Sequence, residues 1–261
     1  IDTFSGFEIV QGGSGADTLQ GGTANDTMLG GAGADVLYGG AGQDSLTGEA
    51  GRDLLDGGDA NDMLIGGDDA DTLVGGAGID TLYGDNGADA LMGGDGADAI
   101  FGGADNDTIV AGDGTDTASG GEGSDFIDAG AGSDLISGDA GNDTLLGGSG
   151  NDTLSGGSGN DSIDAGINDD VVLIDADSLN GGPGNDTLEG GNGIDTLDFS
   201  ATQDSNVSLT INLAAGTASG TVQSSVFNDV ISGFENVIGG SGNDAITGSD
   251  LANSIQGGAG A

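Results

Sequence analysis

An apolar residue returns every nine positions along most of the chain. The series runs Leu19, Met28, Leu37, Leu46, Leu55, Leu64, Leu73, Leu82, Leu91, Ile100, Ile109, Ala118, Ile127, Ile136, Leu145, Leu154, Ile163 and Val172. With one neighbour on each side it makes a three-residue unit, apolar side chain inward and both neighbours outward, which is the alternation of a strand. Six residues rich in glycine separate consecutive units, a composition suited to tight turns with positive φ. The pattern predicts short strands joined by turns, two nonapeptides to a coil of 18 residues, and coils stacked ~4.8 Å apart. A fixed short period of this kind reads as a solenoid rather than a globule.

A second series keeps the same period. Two residues before each apolar position stands an aspartate: Asp17, Asp26, Asp35, Asp44, Asp53, Asp62, Asp71, Asp80, Asp89, Asp98, Asp107, Asp116, Asp125, Asp134, Asp143, Asp152, Asp161 and Asp170. A glycine pair precedes most of them by five and four residues, as in Gly12-Gly13 and Gly147-Gly148. The rule is Gly-Gly-x-Gly-x-Asp-x-U-x with U apolar, and Gly147-Gly148-Ser149-Gly150-Asn151-Asp152-Thr153-Leu154-Ser155 fulfils it throughout. This nonapeptide resembles the repeat of the RTX (repeats-in-toxin) family. The resemblance covers roughly residues 12–197 and 239–261.

The expected fold is all-β, a right-handed parallel β-roll or β-solenoid with an irregular β insertion or cap near the C-terminal end. The expected organisation has a leading strand at 1–11, a regular roll at 12–170 and an irregular continuation at 171–198. A β insertion or cap at 199–238 and a further block from 239 to 261 complete it. Within 171–198, Val171-Val172-Leu173-Ile174 reads as a longer strand, and Asp186 and Asp195 serve two more repeats. In the insertion Val207, Leu209, Ile211 and Leu213 alternate with polar residues, Ala214-Ala215-Gly216-Thr217 reads as a turn, and a further β segment spans 221–227. Asp244 opens the last block, where Asn253 replaces the next aspartate. Ser5-Gly6-Phe7-Glu8 returns as Ser232-Gly233-Phe234-Glu235, an offset of 227 residues. That return reads either as flanking sequence common at the entry to such a repeat block or as the overlap of one unit of a tandem array, and the chain is read as a piece of a longer protein.

Composition narrows the chemistry. Of 261 residues, 60 are glycine, and 45 acids face one base, Arg52, for a net charge of −44. Such a chain offers nothing to neutralise phosphates, so nucleic acid is excluded as a partner. An anionic membrane surface is unfavourable for the same reason, and no apolar run approaches the ~20 residues of a membrane helix. Without Cys or His, disulfides, zinc and haem are excluded. Nucleophilic triads also lack their base. Glu8, Glu49, Glu122, Glu189 and Glu235 are scattered without a motif. The expectation is a non-enzymatic chain.

The regular acids have a different use. One turn above another places Asp35 over Asp17 and Asp44 over Asp26, and carboxylates ~5 Å apart repel unless a cation lies between them. Carboxylate and carbonyl oxygens suit a hard cation, and the variable geometry favours Ca²⁺ over Mg²⁺. The eighteen regular aspartates, with Asp186, Asp195 and Asp244, are therefore the candidate metal ligands, giving up to about 16 calcium ions in the regular block. Two apolar side chains per coil cannot offset the entropy of ordering it, so an unfolded apo chain and a folded calcium form are expected. Ala24, Ala60, Asp69, Asp105 and Asn168 occupy positions where glycine usually supplies positive φ, which marks weaker repeats.

The outward position after U reads Ile65, Val74, Tyr83, Met92, Phe101 and Val110 in six consecutive repeats. Alternation puts Val74, Met92 and Val110 on one face and Ile65, Tyr83 and Phe101 on the other, surfaces suited to self-association or to another domain. The RTX resemblance implies export from a Gram-negative bacterium by a type I system and folding in extracellular calcium. Two roles stay open: a structural segment of an adhesin, surface-layer protein or fibre, and a folding and secretion module of a hydrolase, protease or toxin.

Overall fold

A computed structural model of the chain describes residues 2–3, 9–166, 171–173, 187–189, 194–199, 208–222 and 225–258. Every regular element among the described residues is a β-strand. The chain divides into two compact units, residues 1–130 and 131–261.

In the first unit the nonapeptide period becomes two parallel sheets. One contains Thr18–Gly22, Val36–Ala41, Leu54–Asp59, Thr72–Ala77, Ala90–Asp95 and Thr108–Gly114. The other contains Ile9–Ser14, Thr27–Ala32, Ser45–Ala50, Met63–Asp68, Thr81–Asn86, Ala99–Ala104 and Thr117–Glu122. Strands alternate between sheets along the chain, so each pairs with the strand two nonapeptides away. Leu55 meets Leu73 and Leu73 meets Leu91, while Leu64 meets Leu82 and Leu82 meets Ile100. The 18-residue coil is thus observed as register. The apolar series forms one continuous core, fully buried from Met28 to Ile109 and still buried at Ala118.

The strands are longer than the three residues expected. Thr72–Ala77 includes the glycine pair, and Gly76 and Ala77 pair with Gly94 and Asp95 beyond the x-U-x segment. Stacking at constant register gives every extended residue a partner above and below, so the ladder runs on into the glycines. The first glycine of each pair faces inward, as the buried Gly75 and Gly84 do. Only the second and third glycines need positive φ, for example 109° at Gly76 and 154° at Gly78.

The second unit begins with the same rule, first in the six-residue strand Leu135–Ala140 and then in three-residue strands from Thr144–Leu146 on. Leu145 pairs with Ile163, and Ile136, Leu154 and Val172 align in turn. The spacing then changes while the register of apolar residues is kept: Ile163 meets Leu188, and Val172 meets Leu197. Next, Leu188 meets Ile231, and Leu197 meets Val237 after an irregularity at Asp195/Thr196. Between Thr187–Glu189 and Ala245–Thr247 one sheet takes in a meander. Ser225–Ser232 is antiparallel to Thr217–Val222, which is antiparallel to Thr210–Asn212, and that strand is parallel to Ala245–Thr247. The other sheet passes directly from Asp195–Asp198 through Phe234–Ile238 to Ser254–Gln256. Of the alternating residues Leu209 and Ile211 are buried and Leu213 is half-buried, while Val207 lies outside the described residues. The turn falls at 213–216, with Asn212 accepting the Ala215 N–H at 2.9 Å.

Candidate metal centre

The regular aspartates line the sheet edges as rungs. In the first unit Asp17, Asp35, Asp53, Asp71, Asp89, Asp107 and Asp125 form one column, and Asp26, Asp44, Asp62, Asp80, Asp98 and Asp116 the other. Asp134 and Asp152, and Asp143 and Asp161, repeat the relation in the second unit. Each rung is held by its own backbone. The N–H of Asp35 donates to Oδ1 of Asp53 at 2.7 Å, and the carbonyl of Asp35 accepts from the Leu54 N–H at 2.9 Å. The aspartate is therefore part of the ladder as well as a charge beside it.

Burial is the less expected feature. From Asp26 to Asp161 the described rungs are at most 5% exposed, and Asp195 is fully buried. Asp17 and Asp244 are half-buried. Asp170 and Asp186 lie outside the described residues. With Oδ1 committed, Oδ2 of Asp35, Asp44, Asp53, Asp62, Asp71, Asp80, Asp89, Asp98 and Asp107 is buried without a hydrogen-bond partner. Nine successive orphaned carboxylate oxygens are far beyond the ordinary frequency of such atoms.

The first glycine of each pair creates the space. A Cβ at Gly75 would lie 2.6 Å from Oδ2 of Asp80 and 2.7 Å from the carbonyl oxygen of Gly93, one coil on. The cradle thus sets a carboxylate oxygen beside a backbone carbonyl, two hard-cation donors. Among the described residues no three acidic side chains come close enough to hold an ion alone, so carbonyl oxygens would have to share the coordination. The donor set fits calcium on chemistry: paired carboxylate rungs and backbone carbonyls, with no softer ligand.

Electrostatics point the same way. Burial pushes the carboxyls of Asp62, Asp71 and Asp107 up to about 7 and that of Asp98 to about 6, against the lowering effect of the backbone N–H bond. Charge on neighbouring rungs adds to the rise, Asp80 and Asp44 acting on Asp62 and Asp53 and Asp89 on Asp71. Asp44, Asp53, Asp80, Asp89, Asp116 and Asp161 are also raised, first by burial. A stack of buried acids in this state calls for positive charge, as protons or as a metal ion.

Two acids of the same kind escaped the period. Asp229 is 2% exposed and stands two residues before buried Ile231, in the strand registered on Thr187–Glu189. Glu235 accepts the N–H of Asp195 on Oε2 at 3.1 Å, as a rung does, beside the local irregularity of that strand. Asp229-Val230-Ile231 carries the Asp-x-U signal, but no glycine pair precedes it. Asn253, which stands in place of the next aspartate, has an internally occupied amide. Its Oδ1 accepts the Ser249 N–H at 2.8 Å and its Nδ2 donates to the Glu235 carbonyl at 3.0 Å. Of the positions expected to bear strained φ, Ala60, Asp69 and Asp105 do so at 79°, 75° and 76°, whereas Ala24 does not. Asn168 lies outside the described residues. Glu49, Asp85 and Asp139, at the second glycine, join them at 78°, 72° and 70°.

A family model of the RTX calcium-binding nonapeptide repeat, spanning four copies, matches residues 2–37, 11–46, 30–64, 38–73, 65–100, 83–118, 110–145, 137–172, 174–200 and 238–261. No curated protein matches the chain.

Proposed function

The chain belongs to the RTX calcium-binding nonapeptide-repeat family, and from that premise we propose that its aspartate rungs hold calcium ions that fold it outside the cell. The ions sit between successive carboxylates with backbone carbonyls from the glycine turns. The observation that carries this reading is the run of nine buried Oδ2 atoms without a partner. Bound calcium would supply positive charge where burial and like charge otherwise disfavour the ionised carboxylates. Cytosolic calcium is too low to fill such sites, so the chain would be exported unfolded from a Gram-negative bacterium and would order in the external medium.

The product is a structural, non-catalytic segment of a large secreted or cell-surface protein such as an adhesin, surface-layer protein or fibre. Its outer faces support self-association. The rings of Tyr83 and Phe101 stack at 5.0 Å with an interplanar angle of 11°, and Met92 and Val110 are exposed on the other sheet. Their neighbours Thr81, Ala99 and Thr117 carry no charge. In a chain of net charge −44, such a strip lets two copies meet without opposing carboxylates.

The test is far-UV circular dichroism during titration with Ca²⁺, with Mg²⁺ as the comparison and chelation as the reversal, sedimentation being run alongside. A coil-to-β transition with Ca²⁺ alone supports the calcium reading, and growth in mass with it supports the fibre or surface-layer role. A folded monomer favours the secretion-module role. A chain fully folded in chelator overturns the calcium-dependent mechanism.

A further inference from the structure

The turn at 248–253 keeps the spacing of a repeat but changes its chemistry. Gly248 stands where the first glycine of a pair stands, while Ser249, Leu251 and Asn253 occupy the positions of the second glycine, the third glycine and the aspartate. The strand that follows, Ser254–Gln256, pairs in register with Phe234–Ile238. Glu235, 18 residues before Asn253, is therefore the preceding rung on this edge, and its Oε2 accepts the Asp195 N–H as a rung does.

Every polar atom of the Asn253 side chain has a partner within the protein. Oδ1 accepts the Ser249 N–H at 2.8 Å, and Nδ2 donates to the Glu235 carbonyl and to the Ser249 hydroxyl, both at 3.0 Å. These partners fix the orientation of the amide, because a backbone N–H only donates and a carbonyl only accepts. The Ser249 hydroxyl in turn accepts the Leu251 N–H at 3.3 Å. Oδ1 also lies in the cradle of the first glycine, where a Cβ on Gly248 would collide with it. The other turn of the same block is the contrast. Oδ1 of Asp244 accepts the Leu209 N–H at 3.0 Å, while its Oδ2 is buried without a hydrogen-bond partner. A Cβ on Gly239 would lie 2.9 Å from that Oδ2 and 3.0 Å from the Gly257 carbonyl. The Asp244 turn thus brings together two acceptors, and the Asn253 turn brings together a donor and an acceptor.

Resting on the calcium reading of the aspartate rungs, we propose that the gap between Glu235 and Asn253 takes no cation and that the Asn253 amide closes it instead. Where a carboxylate oxygen faces a carbonyl, both are acceptors, and a positive charge between them satisfies both. At Asn253 an N–H meets the Glu235 carbonyl directly, and the remaining oxygen is occupied by the Ser249 N–H. A calcium ion entering here would displace these hydrogen bonds and would gain no charge from the neutral amide. Closure of this joint between coils is set by hydrogen bonds, and Asn253 is the residue that excludes the ion.

The experiment counts the ions on the full chain by native mass spectrometry at saturating CaCl₂, for wild type, Asn253→Asp and Asn253→Ala. Asn253→Asp removes the donor to the Glu235 carbonyl and supplies a carboxylate, so it should hold one calcium ion more than wild type. Asn253→Ala should hold the same number as wild type. An unchanged count in Asn253→Asp, or one ion lost in Asn253→Ala, would overturn the proposal. Circular dichroism at saturating calcium establishes which variants have folded. Should either variant fail to fold, the wild type decides alone. In crystals grown with calcium, anomalous difference density is expected in aspartate gaps such as Asp53/Asp71 and absent between Glu235 and Asn253, and an ion in the latter gap would overturn the proposal. A wild type that takes up no calcium at all would overturn the calcium reading itself, and this proposal with it; that result is read from the wild-type count, separately from the difference between variants.

Discussion

The main-chain N–H of Asp53 donates to Oδ1 of Asp71 at 2.8 Å, joining residues one full coil apart. The same carboxylate leaves Oδ2 buried and unpartnered. One oxygen serves the ladder and the other is available to a cation, so the two functions of a rung can be separated by substitution. Asp71→Asn keeps an acceptor for the Asp53 N–H and loses the charge. Its expected effect is a higher calcium midpoint and fewer bound ions, with the calcium-saturated fold retained. Asp71→Ala also strands a buried N–H, which costs about 1–3 kcal/mol more. Denaturant melts at saturating calcium, set beside ion counts by calorimetry, distinguish the two. Equal stability of the two variants would show that the ladder bond contributes little.

Glycines of the same repeat should respond in opposite ways. Gly75→Ala places a methyl 2.6 Å from Oδ2 of Asp80 and 2.7 Å from the Gly93 carbonyl. Backbone atoms on two coils would have to move, so a loss of about 1–3 kcal/mol or more is expected, together with loss of the adjacent ion. Ala60→Gly relieves a φ of 79°. The left-handed conformation costs an ordinary residue about 1–2 kcal/mol, and the greater freedom of glycine in the unfolded chain returns part of the gain. A stabilisation of up to about 1 kcal/mol is expected. Thermal melts in saturating calcium check both signs.

These contrasts mark how far the sequence could be read. The nine-residue series of Leu, Ile and Asp specified the 18-residue coil, its core and its rungs, because each coil repeats the same local problem. The inward role of Gly75 was hidden. Its neighbour Gly76 has the left-handed φ that glycine spacing suggests, whereas Gly75 is required by a contact with the next coil. Asp229 and Glu235 were hidden for another reason. Their registration on Thr187–Glu189 and Asp195–Asp198 follows long connections that break the period, and only three-dimensional pairing restores the alignment.

The aromatic stack gives a prediction about assembly. Tyr83 and Phe101 lie one above the other on the outer face of one sheet, where neither contributes to the core. Tyr83→Ser/Phe101→Ser should leave the calcium transition nearly unchanged and lower the mass reached in calcium, read by light scattering. Unchanged mass at equal protein concentration would count against this face as the contact between copies.

Acidity should act oppositely on the apo and calcium-bound chains. Burial raises the carboxyls of Asp62, Asp71 and Asp107 to about 7 and that of Asp98 to about 6, well above the ordinary aspartate range. In the absence of metal the rolled state therefore binds more protons than the unfolded chain between about pH 4 and 7. Stability of the apo roll falls as pH rises through that window, with the penalty largest above about 7. In chelator, lowering the pH from 7.5 to 5 should increase β-structure by circular dichroism. With calcium present, the same protons compete for the same oxygens, so the calcium midpoint should move to higher concentration as the pH falls. An apo chain equally unfolded at both pH values, together with a calcium midpoint independent of pH, would mean that the rungs titrate as ordinary surface acids and that their burial does not govern folding.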